Sequence, residues 1–222
     1  MRGNELLLPG PVSVMRTFAS LAASERFWLA LWGSFYRVAF GMLVSVPSGI
    51  AAGILIALDK RIEALLKPVL IAISATPVIS VILIAFLWFG QERTPVFTAF
   101  LMIFPIITAN TIAGINAIDP KLKEVFDIYR LSKKQRLLSL YIPGIAPFVL
   151  GALRSGLSLC WKVVVAAEVM VQPARALGTG MQNARAQLET AELYAWTAGT
   201  ILAAALCQAA LSVILGLMQK RR

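Results

Sequence analysis

The side chains able to do chemistry in this chain fall in two places. Residues 119–144 (DPKLKEVFDIYRLSKKQRLLSLYIPG) gather carboxylates, ammonium and guanidinium groups and aromatic rings between two apolar stretches. Residues 144–172 are apolar yet contain Arg154, Lys162 and Glu168. Neither set composes a catalytic centre. Histidine is absent, which removes HExxH metal motifs, Ser-His-Asp triads and His-ligated haem. Asp119, Glu124 and Asp127 are too few, and face too many ways, to hold a metal. No Gly-Lys pair occurs, so there is no phosphate-cradling GxxxxGK[ST] loop. The chemistry left to these residues is recognition of a protein surface and placement of charge inside a membrane.

The elements that must position them follow from composition. Of 222 residues, 59% are apolar and 14% charged, whereas a soluble domain is about a quarter charged. Uncharged runs at 38–58, 68–90, 94–118 and 193–218 each reach the roughly 20 residues that cross a bilayer as helix. Residues 144–172 read as a further span despite their charges. A soluble bundle would need polar helix faces that these runs do not show. The expectation is an all-α, polytopic membrane bundle of about five transmembrane helices. The net charge of +10 does not point to nucleic acid: basic residues cluster at the ends of apolar runs, and no basic stripe is interleaved with stacking aromatics. Cys160 and Cys207 lie within apolar runs, so no disulfide framework is expected. The first residues, MRGNELLLPGP, lack the apolar core of a signal peptide.

Twelve Lys and Arg residues fall on the side carrying 119–144, and six on the other; Arg37, Arg154 and Lys162 lie within helices. The richer side is expected to be cytoplasmic, placing the C-terminus inside and the N-terminus outside. Ahead of the first span, residues 1–34 form an amphipathic segment, with Val14, Met15, Phe18, Leu21 and Ala22 at helical spacing. It lies on the outer interface or packs on the bundle. Residues 35–222 form the membrane domain, and 173–190 a polar, Gly-containing outer loop, in part helical.

Within 119–143, Asp119-Pro120 is a helix opening, with a carboxylate to cap and proline at the first position. Leu122, Val125, Phe126 and Tyr129 then share a face, while Ser132 and Gln135 fit a capping box that starts a second short helix. That helix is expected to end at Pro143-Gly144. Two short helices meeting near Leu131–Ser132 make either a protein-docking elbow or an amphipathic hairpin on the membrane surface.

The segment resembles the coupling loop of ABC importer permeases. Glu124 matches the Glu of that family's motif, Ser132 the small residue after its Gly, and Ile142-Pro143 its closing pair. Val125-Phe126 stands where two alanines are usual, and Arg130 where glycine is usual. The rest of the chain is similar to the nitrate/sulfonate/taurine and thiamine-precursor branch. The matching pieces are LPGPVSVM, Ser34 with Arg37-Val38 and Gly41, Thr76-Pro77, Trp88-Phe89-Gly90, and Asn110-Thr111 with Gly114. Gly151-Ala152-Leu153-Arg154, Trp161 and Ala167-Glu168 complete the pattern. The branch usually has one more span, ahead of the LPSP-like segment, and that span is expected to be missing here.

The resemblance implies an ATP-driven importer in the bacterial cytoplasmic (inner) membrane. Two permease copies, as a homodimer, would line the path. Two cytoplasmic ATPase subunits, holding ATP and Mg, would each receive one loop, and an extracytoplasmic solute-binding protein would deliver the solute. The chain itself needs no cofactor and no metal. The docking residues implied are Glu124, Val125, Phe126, Asp127, Tyr129, Arg130, Leu131 and Ser132. The path candidates are Asn110, Arg154, Trp161, Lys162 and Glu168. Lys162 and Glu168, six residues apart, differ by about 240° around the helix and cannot readily pair with each other. Each needs a partner on another span, on a second protomer or in a wet cavity, so they line the path or belong to structural ion pairs. Pro47, Pro77 and the Gly49/Gly53 pair serve as hinges or as close-packing points. The rival functions are a secondary transporter, whose inverted repeats are not visible, and a structural membrane subunit that recruits a cytoplasmic partner.

Overall fold

The computed structural model describes residues 9–129 and 131–220, the side chains of Asp127 and of residues 218–220 excepted. Helices follow one another in the order α1 (Pro11–Ala22), α2 (Glu25–Leu58), α3 (Lys60–Ala75), α4 (Val78–Asn116), α5 (Pro120–Ile128), α6 (Lys133–Arg136), α7 (Ile142–Val171), α8 (Leu177–Ala186) and α9 (Thr190–Lys220). No strand occurs among the described residues, so the expected all-α architecture is the one adopted. Among the described residues, four helical stretches are long and apolar enough to cross a membrane: Glu25–Leu58, Val78–Asn116, Lys133–Val171 and Thr190–Leu217.

The difference from five lies in residues 68–90, expected as one span. Thr76 is extended (ψ 128) and ends α3, and α4 begins at Val78. Proline at 77 disfavours the helical state of the residue before it, so the break is local chemistry. α4 then bends at Gly90, whose φ of 69 and ψ of −173 are non-helical; only glycine reaches that region without strain. The arm beyond Gly90, residues 91–116, runs about 39 Å at 1.5 Å per residue.

The chain divides into two compact units. The first contains the chain up to Gly41, Pro77–Ala99 and everything from Leu157 onward. Here α1 lies on α9. Phe18 meets Phe27 edge-on at 6.1 Å, and Phe27 meets Trp196 at 5.7 Å. A Cβ at Gly199 would come within 2.7 Å of the Phe27 ring, so α9 needs glycine for this contact. Val12 and Met15 stay exposed; α1 packs on the bundle by one edge and keeps an apolar edge outward. Residues 173–190 contain the expected helical part, α8. α8 buries Leu177, Gly178, Gly180 and Ala184, with Gly180 flat against the Trp196 indole.

The second unit comprises Met42–Thr76 and Phe100–Gly156. Its core gathers Ile115, Ile118, Leu140, Tyr141, Ile145 and Val149. Gly49 and Gly53 face Ile107 and Thr111, where added Cβ atoms would lie only 2.8 and 2.6 Å away. The small pair therefore draws α2 against α4 within one chain. Trp32 and Leu87 in the first unit, and Leu43 in the second, point outward. That pattern is costly in water and natural where the surrounding solvent is lipid.

Candidate functional site

Residues 119–143 form the expected elbow. Asp119 Oδ1 accepts the Lys121 N–H at 2.8 Å and α5 starts at Pro120. The last turn closes through Tyr129 N–H to the Val125 carbonyl, and the Leu131 N–H reaches the Phe126 carbonyl. Ser132 Oγ accepts from Gln135 N at 3.3 Å, while Gln135 Oε1 accepts from Ser132 N at 2.9 Å. That is the capping box the spacing calls for.

Two features differ from expectation. The second helix does not stop at Pro143-Gly144. α6 continues through a π turn at Leu137–Tyr141 into α7, with Ile142 N–H donating to the Leu137 carbonyl. The wider turn falls where the Pro143 ring would meet the carbonyl of Ser139 in a regular helix. The second difference is Phe126, which is half-buried and packs against the Ile115, Ile118, Leu140 and Tyr141 core. Glu124 and Val125 do project, and Tyr129 is 74% exposed. Leu122, which the spacing places on the same face, joins them, as does Ile128, 77% exposed and not singled out by the spacing. Leu131 is half-buried and Ser132 exposed. The Asp127 side chain and Arg130 lie outside the described residues.

The charged span yields a different construction. Glu168 on α7 is fully buried. Its carboxylate accepts from Ser34 Oγ at 2.7 Å, from Arg37 Nη1 at 3.2 Å and from Gly178 N at 3.1 Å. Ser34 Oγ in turn accepts the Leu177 N–H at 3.0 Å. α8 begins at Leu177, and its own N-cap residue, Ala176, supplies no side-chain hydrogen bond. The first two amides of α8 are thus capped by side chains from α2 and α7, and a carboxylate at a helix N-terminus also meets its positive dipole end. Gly178 is required by proximity: a Cβ there would lie 2.5 Å from Glu168 Cβ.

Arg37 extends the construction outward. Its side chain is 6% exposed; Nη2 lies 2.7 Å from Glu92 Oε2 on α4 and 3.0 Å from the Ala174 carbonyl, and Nη1 lies 3.3 Å from the Arg175 carbonyl. Glu92 Oε1 accepts from Ala174 N at 2.7 Å. Gln172 and Arg175 hold positive φ values of 51 and 52, and the carbonyls that Arg37 captures sit between and upon them. Glu168 is therefore held in a buried ion pair with Arg37 and hydrogen-bonded by Ser34. The sequence signal was present in Arg37, an arginine inside an apolar helix. Glu92 carried no such signal, because it sits at the end of an apolar run where charges are ordinary.

Trp161 and Lys162 come together at a cavity of about 490 Å³ between α7 and α9, which Ser158 and Gln208 also line. Trp161 is buried and Lys162 exposed. In the other unit Arg154 is exposed, and Asn110 is half-buried with its Nδ2 donating to the Ile106 carbonyl at 2.8 Å.

Comparison with known proteins gives a concordant picture. Residues 49–221 match the family model described as binding-protein-dependent transport system inner membrane component. The putative aliphatic sulfonates transport permease SsuC of Bacillus subtilis is 31% identical over 190 residues, covering 85% of this chain and 68% of that protein. The nitrate import permease NrtB of Synechococcus elongatus is 31% identical over 175 residues, covering 73% of this chain and 62% of its own length. Among solved structures, a bacterial ABC transporter that imports the acidic polysaccharide alginate superposes with a TM-score of 0.73. It covers 100% of this chain and 88% of that one at 16% identity, a likeness of fold alone.

Proposed function

This chain belongs to the binding-protein-dependent transport inner membrane components, the permease subunits of ABC importers, and from that premise we propose that its 119–143 elbow is the joint through which a cytoplasmic ATPase drives solute across the membrane. The protein is multi-pass in the inner membrane. The elbow faces the cytoplasm, with the C-terminus on the same side and the N-terminus outside. A second permease copy completes the path, an extracytoplasmic binding protein presents the solute, and ATP and Mg reside on the partner ATPase.

One observation carries this reading. A charged, short-helix segment exposes four large side chains, Leu122, Val125, Ile128 and Tyr129, while its backbone is fixed by an Asx-Pro start and a complete capping box. A hairpin resting on lipid needs no such rigidity. A knob that must enter a partner's groove and transmit its displacement does. Phe126 anchors α5 to the core beneath it, so force on Val125 or Tyr129 is passed to the second unit's core and not absorbed by a loose loop. Along the path we assign Trp161, Lys162, Arg154 and Asn110, with Glu168 holding the outer helix α8 in place.

The test is coupled uptake in proteoliposomes containing the permease and its ATPase. Tyr129→Asp or Glu124→Arg should abolish solute-stimulated ATP hydrolysis while the permease remains in the membrane at normal level. Wild-type coupling in both variants would remove the docking role.

A further inference from the structure

The outward side of α1 carries two chemistries. With 3.6 residues per turn, Met15, Ala19 and Val12 share an arc of about 60°, and Arg16, Ser20 and Ser13 a neighbouring arc of the same width. All six are exposed, Val12 by 71% and Met15 by 72%. The remaining side, with Val14, Phe18, Leu21 and Ala22, is buried or half-buried against the bundle. α1 thus meets three environments: the bundle, a polar one, and an apolar one that no described residue supplies. Both outward arcs run from the first turn of the helix to the last, so the seam between them lies parallel to its axis. A helix that crosses a bilayer changes polarity along its axis instead. The 12 residues of α1 also reach only about 18 Å, short of the roughly 30 Å hydrocarbon core.

α2 shows independently what lies at that level. Trp28, Trp32, Tyr36 and Phe40 follow one another every fourth residue along one outward stripe, and all four are exposed. The stripe starts against α1, because Trp28 Nε1 donates to the Ala22 carbonyl at 2.9 Å. Its first three rings have a polar tip; the fourth, stacked on Tyr36 at 5.9 Å, has none. Rings with polar tips gather at the interfaces of a bilayer, where one end is wet and the other apolar. The stripe therefore passes from headgroups towards hydrocarbon as it leaves α1. A protein partner imposes no such order along α2, whereas a flat boundary between water and lipid imposes both the order and the lengthwise seam on α1.

We propose that α1 is an in-plane anchor whose partner is the lipid bilayer: Val12, Met15 and Ala19 enter the acyl boundary, Ser13 and Ser20 stay in water, and Arg16, beside the seam, sits among the phosphates. The anchor fixes the level of two spans. Phe18 is seated on Phe27, and Phe27 on Trp196, so the height that α1 takes in the bilayer is passed to the first two turns of α2 and α9. The inference goes beyond the elbow reading; it requires only a bilayer at this end of the spans and holds whichever leaflet that is.

The experiment places a nitroxide label on Ser13→Cys, Met15→Cys, Ala19→Cys or Ser20→Cys, one at a time. The full chain, with Cys160→Ala and Cys207→Ala, is held in phosphatidylcholine nanodiscs without any partner protein. All four sites are exposed, so the labels do not disturb packing, and gel filtration verifies this. Labels on Met15→Cys and Ala19→Cys should collide with oxygen in preference to a water-soluble nickel chelate, at a depth of about 5–10 Å into the headgroup and acyl boundary. Those on Ser13→Cys and Ser20→Cys should show the reverse preference. Adding Met15→Asp should shift the Ala19→Cys label to the aqueous pattern. A second measurement leaves the cysteines in place: the emission lost in Trp32→Phe should be quenched more by phosphatidylcholine brominated near its headgroup than by lipid brominated near the chain end. Aqueous labels on Met15→Cys and Ala19→Cys would reserve the apolar arc for a soluble partner, and labels closed to both reagents would assign it to a second copy of the chain; either overturns the proposal. So does a common pattern at all four sites, an unmoved Ala19→Cys label in Met15→Asp, or Trp32 quenching that is equal or stronger near the chain end. No ATPase or solute is present, so this outcome and that of the Tyr129→Asp coupling test stand or fall separately.

Discussion

The guanidinium of Arg37 lies 3.2 Å from the Glu168 carboxylate, and both side chains are sealed from solvent on all but a few per cent of their surface. Such a pair contributes little over a well-packed apolar substitute, yet half of it is very costly to leave behind. Glu168→Ala would leave Arg37 with Glu92 as its remaining carboxylate partner, beside the Ala174 and Arg175 carbonyls, and would remove the acceptor of both the Ser34 hydroxyl and the Gly178 amide. We expect a loss of about 3–5 kcal/mol, seen as a lower thermal midpoint in detergent and reduced membrane abundance. Arg37→Met combined with Glu168→Met should recover part of it, and the coupling energy from that double-mutant cycle should exceed the value for the exposed Lys67–Glu63 pair, 3.3 Å apart.

Gly178→Ala tests the clamp by geometry alone. The new methyl would come within 2.5 Å of Glu168 Cβ and 2.6 Å of the Val169 amide nitrogen, atoms that cannot swing aside. The variant should fail to accumulate, whereas Gly151→Ala, with open space around it, should behave as wild type.

Gly90→Ala separates backbone strain from collision. Nothing lies within 4 Å of the position a Cβ would take, so any effect comes from the φ of 69. The expected cost is about 1–3 kcal/mol, read as a drop in thermal midpoint without loss of the folded gel-filtration peak. A shift as large as that of Gly178→Ala would contradict this account.

Within the elbow, Ser132→Ala deletes the capping hydroxyl and should cost about 1 kcal/mol locally. Coupled transport should fall partially and amide exchange at Gln135 should quicken. Phe126→Ala removes the anchor of α5 beneath the exposed face, so it should lower both stability and coupling. Val125→Asp should lower coupling alone. That contrast separates the side chain that holds the elbow from the one that is offered to a partner.

Much of this was legible in the residues. The two-helix elbow followed from Asp119-Pro120 and Ser132/Gln135, because caps are local and their spacing is rigid. The close approach at Gly49 and Gly53 was readable for the same reason. Other features depend on distant parts of the chain. Nothing in LGTGMQ says that its first amides will be capped by Ser34 and Glu168, which lie 143 and 10 residues away from the amides they accept. Hydropathy joined residues 68–90 into one span, since an apolar run does not record that Thr76 is extended ahead of Pro77. The helical wheel put Phe126 with Val125 and Tyr129, and only the core at Ile115 and Tyr141 shows which edge of α5 turns inward.

The capping of α8 from afar has a practical consequence for anyone wishing to tag or spin-label the protein. The stretch from Gln172 to Leu177 reads like a permissive connector, but its carbonyls and amides are gripped by Arg37, Glu92 and Ser34, and an epitope spliced there would unseat an entire helix. The turn at Leu188, outward-facing and with φ of 59, is the better attachment point, where a reporter could ride without pulling on anything beneath it.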